Sequence, residues 1–96
     1  MHAMTADVTT EQPSRLINRL CKHFRHKIEA TWDEHEGRLV FSIGECRLVA
    51  RDQQLTLQCQ APTPGELEEL GQVVASHLVR FAGDEVTAVY WQASAA

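Results

Sequence analysis

Residues 38–59, RLVFSIGECRLVARDQQLTLQC, contain three short runs in which apolar and polar side chains alternate. The apolar members of the three runs are Leu39, Phe41 and Ile43, then Cys46, Leu48 and Ala50, then Leu55, Leu57 and Cys59. A period of two is typical of a strand with one buried face. Gly44 with Glu45, and then residues 51–54, fill the short gaps between the runs, and short gaps favour antiparallel pairing. The stretch therefore predicts the centre of an antiparallel sheet.

Three further segments predict strands on either side of this centre. Residues 28–32, IEATW, alternate in the same way, and the turn that follows them ends at Gly37, where we expect a positive φ. Residues 5–9, TADVT, are short and β-branched, and residues 86–91, VTAVYW, alternate again.

Two segments instead have the period of an amphipathic helix. The first runs from Pro13 to about His26, and its apolar stripe is Leu16, Ile17, Leu20, Cys21 and Phe24. The second begins with Thr63 as a candidate N-cap before Pro64, with Glu66 placed for a capping box, and it ends at Ala82 before Gly83. Its stripe is Leu67, Leu70, Val74, His77, Leu78 and Phe81.

The order strand, helix, four strands, helix, strand predicts an α+β fold. We expect an antiparallel sheet of five to six strands with both helices packed on one face, because that arrangement buries every apolar stripe. Residues 1–96 then form a single domain, with residues 1–4 and 92–96 as frayed tails. Met4 offers an alternative start, in which case residues 1–3 are an extension.

Composition narrows the class of protein. With 44% apolar and 23% charged residues, the 96-residue chain has the composition of an ordinary globular protein. No apolar run has the roughly 20 residues that span a bilayer, and the N-terminal residues do not have the pattern of a secretory signal. Three cysteines, an odd number, favour a reduced, cytoplasmic protein. A net charge of −4 disfavours a nucleic-acid partner.

The charge is unevenly distributed along the chain. Residues 13–28 hold five of the nine Lys and Arg residues and no acid, so the rest of the chain carries four bases against thirteen acids. Such polarity is suited to steering a partner or pairing two copies of the molecule, which predicts a homodimer. The alternative is a solvated basic helix face without a partner.

The segment CKHFRHK, residues 21–27, is the most distinctive candidate site. His23 and His26 lie three residues apart, so they share a helix face, and a metal site would add a third ligand such as Cys46 or His35. The alternative is structural, since basic side chains at the end of a helix interact favourably with its dipole.

His77 lies in an otherwise apolar stripe. It is either a core residue satisfied by one hydrogen bond or, together with Arg80, part of the lining of a ligand pocket.

The three cysteines lie on apolar faces and are expected to act as small hydrophobic residues, and nucleophilic catalysis by Cys21 is a third possibility. Of Tyr90 and Trp91, one is expected to be exposed on the sheet as a possible dimer surface.

Three stretches together resemble a known family: LCKHFRHK at 20–27, GECRLVA at 44–50 and SHLVRFA at 76–82. In that order they resemble the bacterial family called domain of unknown function 2218, from about Asp7 to Trp91. The family has no assigned activity, so the resemblance implies no catalytic residue. Some members are associated with iron–siderophore uptake genes, which makes iron or haem a candidate ligand. Residues 83–85, GDE, depart from the more apolar and basic stretch that the resemblance leads us to expect there.

The resemblance implies that several positions belong to the family signature. They are Cys21, Lys22, His23, Phe24, His26, Lys27, Gly44, Cys46, His77, Arg80 and Phe81.

We therefore expect a non-enzymatic binding or accessory module that forms a homo-oligomer and has a protein or small-ligand partner, with neither membrane nor nucleic acid involved. The alternative is a protein that binds a metal, iron or haem. Its candidate ligand-binding residues are His23, His26, His77 and Arg80, and its candidate metal ligands are His23, His26 and Cys46. Nothing in the sequence requires a cofactor.

Overall fold

A computed structural model describes residues 1–94 and confirms the predicted α+β fold and order of elements. The strands and helices are β1 (His2–Thr9), α1 (Pro13–Phe24), β2 (Glu29–Trp32), β3 (Glu36–Phe41), β4 (Gly44–Arg51), β5 (Gln54–Ala61), α2 (Pro64–Ala82) and β6 (Gln92–Ser94). A 3₁₀ turn, Gly83–Glu85, follows α2 directly. Within the described part of the chain, no helix is long and apolar enough to cross a membrane.

The strands form one antiparallel sheet in the order β2-β3-β4-β5-β1-β6. The predicted centre is correct, since Leu48 lies opposite Leu57 and Cys46 lies opposite Cys59 on the two neighbouring strands. The first strand joins this centre by pairing with β5, from His2 opposite Ala61 onward.

Both helices pack on one face of the sheet, where the alternating apolar side chains meet the two helical stripes. Helix α1 contacts β2 to β5, and α2 contacts β4, β5 and β1. The predicted core residues Leu39, Leu48 and Leu57 are fully buried there. The opposite face is polar and carries two cross-strand ion pairs, Arg38–Glu45 and Arg47–Glu36. The sheet therefore has one buried face and one solvent face.

Gly37 has a different role from the one predicted. It is not among the glycines with positive φ but lies in β3, where it is buried beneath α1. A Cβ atom at this position would lie 2.9 Å from the Cys21 sulfur and 3.0 Å from Ile17 Cγ2. Glycine is thus needed for the close approach of helix and strand rather than for a turn.

The two ends of the chain also differ from the prediction. We expected tails at residues 1–4 and 92–96, but residues 2–4 belong to β1 and residues 92–94 form β6 against it. The other two residues of the second tail, 95–96, lie outside the described residues. The backbone hydrogen bonds that these segments make within the sheet hold them in place.

The predicted last strand, residues 86–91, has no regular secondary structure. In this segment Val86 is buried, Trp91 packs against the core and Tyr90 is 81% exposed. The segment connects the end of α2 to the sheet edge, and it is held by side-chain packing instead of strand pairing.

The end of α1 also differs from the prediction, since the helix ends at Phe24, two residues before the predicted end.

Candidate functional site

Two of the predicted site residues, His23 on α1 and His77 on α2, come together in the structure. Their ring centroids are 5.1 Å apart. Each follows from the helical period, because His23 borders the α1 stripe and His77 lies in the α2 stripe. The packing of α1 beside α2 on the sheet then brings the two imidazoles together.

Phenylalanine rings surround this histidine pair. The distance between ring centroids is 4.7 Å for Phe24 and His77 and 5.3 Å for Phe81 and His23. It is 5.2 Å for Phe41 of β3 and Phe24. These five residues form what we call the histidine–aromatic cluster. Most of its ring pairs are edge-on or tilted, the arrangements that aromatic rings favour.

His77 makes one hydrogen bond inside its own helix. Its Nδ1 lies 2.7 Å from the carbonyl oxygen of Val73, and because a carbonyl can only accept, Nδ1 carries the proton and donates. In the neutral ring the Nε2 lone pair then has no hydrogen-bond partner among residues 1–94. The single hydrogen bond is the one expected for a histidine in an apolar stripe, and the lone pair leaves a ligand role open.

His23 is exposed, yet its surroundings oppose protonation. Desolvation lowers the pKa of His23 below 6.5, and the nearby charges of His77, Lys27, Arg80 and His26 lower it further. The ring is therefore predominantly neutral at pH 7. Arg80, predicted to line a pocket with His77, contributes here through its charge on His23.

Next to the cluster, α1 and the end of α2 enclose a surface groove, which we call the α1–α2 groove. It consists of two adjoining cavities of about 280 and 400 Å³ that share Arg19 and Phe81. Its basic side chains are Arg15, Arg19, Lys22, His23 and His26. Arg19 is held in place, since it donates to the Phe81 carbonyl oxygen at 3.3 Å and lies 5.3 Å from the centre of that ring.

One acid, Glu85, also lines the groove, but its carboxylate accepts from Thr10 and Glu11 and forms no ion pair with the basic side chains there. Within residues 1–94, the ion pairs are Arg38–Glu45 and Arg47–Glu36 on the open face of the sheet, and neither involves α1. Sequence reasoning identified the basic helix but not Arg15 and Arg19 as site residues. The signal was present, because Arg15, Arg19 and Lys22 follow the i, i+4, i+7 spacing of one helix face.

The three predicted metal ligands are not brought together. His23 and His26 are exposed at the end of α1, whereas Cys46 is fully buried in the core. Among the residues that the structure describes, no group of three or more His, Cys, Asp or Glu side chains is arranged to hold a metal ion.

The cysteines are buried thiols. Burial raises the pKa of Cys21 to about 11, and the neighbouring Cys59 thiol together with burial raises the pKa of Cys46 well above its usual value. A nucleophilic cysteine needs the thiolate form at neutral pH, so neither environment favours that role.

Glu85 is a structural residue that sequence reasoning missed. One of its carboxylate oxygens accepts from the Thr10 hydroxyl at 2.5 Å, and the other accepts from the Glu11 backbone N–H at 2.9 Å. These bonds lower the pKa of Glu85 and fasten the turn after α2 to the start of α1. Glu85 belongs to the GDE segment that departs from the expected family pattern, and its partner Thr10 is buried.

Comparison with known proteins agrees with the fold and with the resemblance. A family model described as "Uncharacterized protein conserved in bacteria (DUF2218)" matches residues 5–92. The chain is also similar to the protein in "NMR structure of PA4090 from Pseudomonas aeruginosa", with 33% identity over 96% of each chain and a TM-score of 0.80. A search of curated proteins found no match.

Proposed function

The chain belongs to this DUF2218 family of proteins conserved in bacteria, and we propose that it is a non-enzymatic binding module whose α1–α2 groove docks an acidic segment of a protein partner. The observation that carries the proposal is the unpaired basic face of α1. Arg15, Arg19 and Lys22 are exposed along one side of the groove and have no acidic partner within the described residues.

The shape of the groove favours an extended partner over a single anion. Its two cavities run along α1 from Gln12 to His26 and meet at Arg19 and Phe81. Cations separated by whole helical turns match a chain of carboxylates better than they match one compact anion. Phe81 and the aliphatic parts of the arginines give the partner apolar surface to contact between the charges.

Binding of an octaglutamate peptide tests the proposal, with octaglutamine as the uncharged control of equal length. We expect octaglutamate to bind and octaglutamine not to bind, as measured by the fluorescence anisotropy of each labelled peptide. Raising the NaCl concentration from about 50 mM to about 500 mM should weaken binding, because salt screens exposed charges. Equal binding of both peptides, or binding that does not depend on salt, would contradict the proposal.

A second copy of the chain is one source of acidic surface. Outside residues 13–28 the chain carries thirteen acids and four bases, which supports the homodimer expected from the sequence. Sedimentation velocity at millimolar protein in low salt should detect this association. If the protein sediments only as a monomer under these conditions, the homodimer is excluded and the acidic partner must be a different protein.

A metal, iron or haem ligand is the second candidate function, and one observation favours it. The bond from His77 Nδ1 to Val73 resembles the hydrogen bonds that orient metal-binding histidines, and it leaves Nε2 available beside His23. Titration with Zn²⁺, Fe²⁺ and haem would be followed by absorbance and calorimetry. This candidate requires that His77→Gln and His23→Gln abolish binding, and binding unaffected by both changes would exclude these histidines as ligands.

A further inference from the structure

The turn between β2 and β3, residues 33–36, is acidic and fixed in shape. All four of its residues, Asp33, Glu34, His35 and Glu36, are exposed. One carboxylate oxygen of Asp33 accepts from the backbone N–H groups of His35 at 2.7 Å and Glu36 at 2.9 Å. These bonds lower the pKa of Asp33, so its carboxylate is charged at neutral pH. The β2–β3 turn therefore presents a preformed negative surface.

Two hydrogen bonds hold the β2–β3 turn and the strand before it against one flank of α1. Ser14 Oγ donates to the Glu34 carbonyl oxygen at 2.6 Å, and the Trp32 indole of β2 donates to Asn18 Oδ1 at 3.0 Å. Ser14 and Asn18 lie four residues apart, which places both on the same side of the helix. The turn is thus fixed beside the first half of α1.

The α1–α2 groove lies along the other flank of the same helix. Arg19 and His23 contact Phe81 of α2 there, and Arg15 and Lys22 lie next to them on the exposed side of α1. At 100° per residue, His23 lies half a turn around the helix from Ser14. Helix α1 therefore separates a negative surface from a positive one.

The two surfaces of one chain do not neutralise each other. Within residues 1–94, Glu34 takes part in no ion pair, and Glu36 is paired with Arg47 on the open face of the sheet. The hydrogen bonds that fix the turn keep it on its own side of α1. The turn of a second copy is not subject to this constraint and can approach the groove from solvent.

Other acidic side chains fit the groove less well. Glu45 is already paired with Arg38, and the Glu85 carboxylate is bonded within its own chain. Glu68 lines a cavity together with Met1 and His2, whose basic groups offset its charge. The β2–β3 turn combines a fixed shape, full exposure and an unpaired carboxylate.

We propose that the acidic segment that docks in the α1–α2 groove is the β2–β3 turn of a second copy of this chain. Each copy then contributes a turn and a groove, so a symmetric dimer contains two equivalent contacts. This inference rests on the function proposed for the groove and names its partner. In the dimer, Glu34 of each copy lies among the basic side chains of the other copy's groove.

A charge exchange between turn and groove tests the proposal. Glu34→Lys and Lys22→Glu should each raise the dissociation constant of the dimer about tenfold or more, because each places like charges opposite one another in both contacts. An equimolar mixture of the two variants should associate within about threefold of wild type, since one contact is unchanged and the other has its charges exchanged. Sedimentation equilibrium of the full chain at about 1 mM and about 50 mM NaCl measures these constants.

The control is Glu69→Lys, which makes the same charge change at an exposed position on α2 and should alter the dissociation constant less than about twofold. Glu34→Lys reduces the net negative charge, so weaker association of this variant cannot come from repulsion between whole molecules. The proposal is overturned if the wild-type protein is only a monomer, if Glu34→Lys associates like wild type, or if the mixture does not recover.

The same variant separates this proposal from the function of the groove. Glu34→Lys retains an unaltered groove, so at micromolar protein it should bind octaglutamate as tightly as wild type does. If octaglutamate binds but Glu34→Lys leaves self-association unchanged, the groove binds acidic segments and the turn is not its partner. If the wild-type protein does not bind octaglutamate, the function proposed for the groove itself fails.

Discussion

At the scale of single residues, His23 shows how desolvation and several neighbouring charges together control the charge of one side chain. The His23 and His77 rings are 5.1 Å apart, and the cations Lys27 and Arg80 act on His23 as well. A proton on His23 would therefore be placed near other positive charges, and the folded chain favours the neutral ring. An acidic partner would reverse this preference, since carboxylates stabilise the imidazolium.

The lowered pKa of His23 predicts that stability decreases in mild acid. The unfolded chain, with an imidazole pKa near 6.5, binds the proton more tightly than the folded chain does, so protonation favours unfolding. The free energy of unfolding from urea titrations should thus be greater at pH 7.5 than at pH 5.5. His23→Gln should reduce this difference, whereas His2→Gln, at an exposed position on β1, should not. An equal dependence on pH in wild type and His23→Gln would contradict this assignment.

The contact at Gly37 predicts a large effect of one methyl group. Gly37→Ala should lower the free energy of unfolding by about 1–3 kcal/mol, because its Cβ would overlap Cys21, Ile17 and Leu48. Gly65→Ala is the matched control, since within residues 1–94 no heavy atom beyond its own neighbours in the helix lies within 4 Å of its added Cβ, and there we expect no loss of stability. Urea denaturation of both variants checks the pair. Similar results for the two changes would argue against the close approach of α1 and β3.

At the scale of elements, the start of α2 was largely predictable from sequence because a helix cap depends on neighbouring residues. The Thr63 hydroxyl accepts from the Glu66 backbone N–H at 3.1 Å and donates to the Glu66 carboxylate at 2.9 Å. The start of α1 was less predictable. Gln12 is its N-cap without a side-chain bond, and the Thr10 hydroxyl accepts from the Gln12 N–H instead.

Removal of the Thr63 hydroxyl tests the contribution of this cap. Thr63→Ala should lower the free energy of unfolding by about 1 kcal/mol, because the Glu66 N–H then loses its acceptor. Thr63→Ser keeps the hydroxyl and should remain close to wild type. Both values come from urea denaturation followed by circular dichroism, and an unchanged Thr63→Ala variant would show that the cap contributes little to stability.

The last strand shows where a local pattern fails. Residues 86–91 alternate like a strand, but Glu85 is bonded to the start of α1 and Trp91 packs against Gly71. Both contacts join residues that are far apart in the sequence, so alternation alone did not reveal them. Strand pairing with β1 begins only at Gln92.

At the scale of the whole molecule, the structure converts an uneven charge along the chain into a surface with one basic groove. The sequence predicted the basic helix, its buried stripe and the two histidines. It did not predict the groove, which needs Phe81 from α2 next to Arg19 from α1. The metal set of His23, His26 and Cys46 does not come together, because Cys46 lies on the apolar face of β4 and is enclosed by the core, while the two histidines are exposed.

The central claim is that the acidic partner binds specifically in the α1–α2 groove and is not attracted merely by the overall charge of the protein. The most direct test compares Lys22→Glu with Arg51→Glu in the octaglutamate titration, because both variants change the net charge by the same amount. Lys22 lines the groove, while Arg51 is exposed at the end of β4. We predict that Lys22→Glu weakens binding about fivefold or more and that Arg51→Glu leaves it within about twofold of wild type. Equal weakening by the two variants would contradict the claim, since it would mean that the peptide responds only to overall charge.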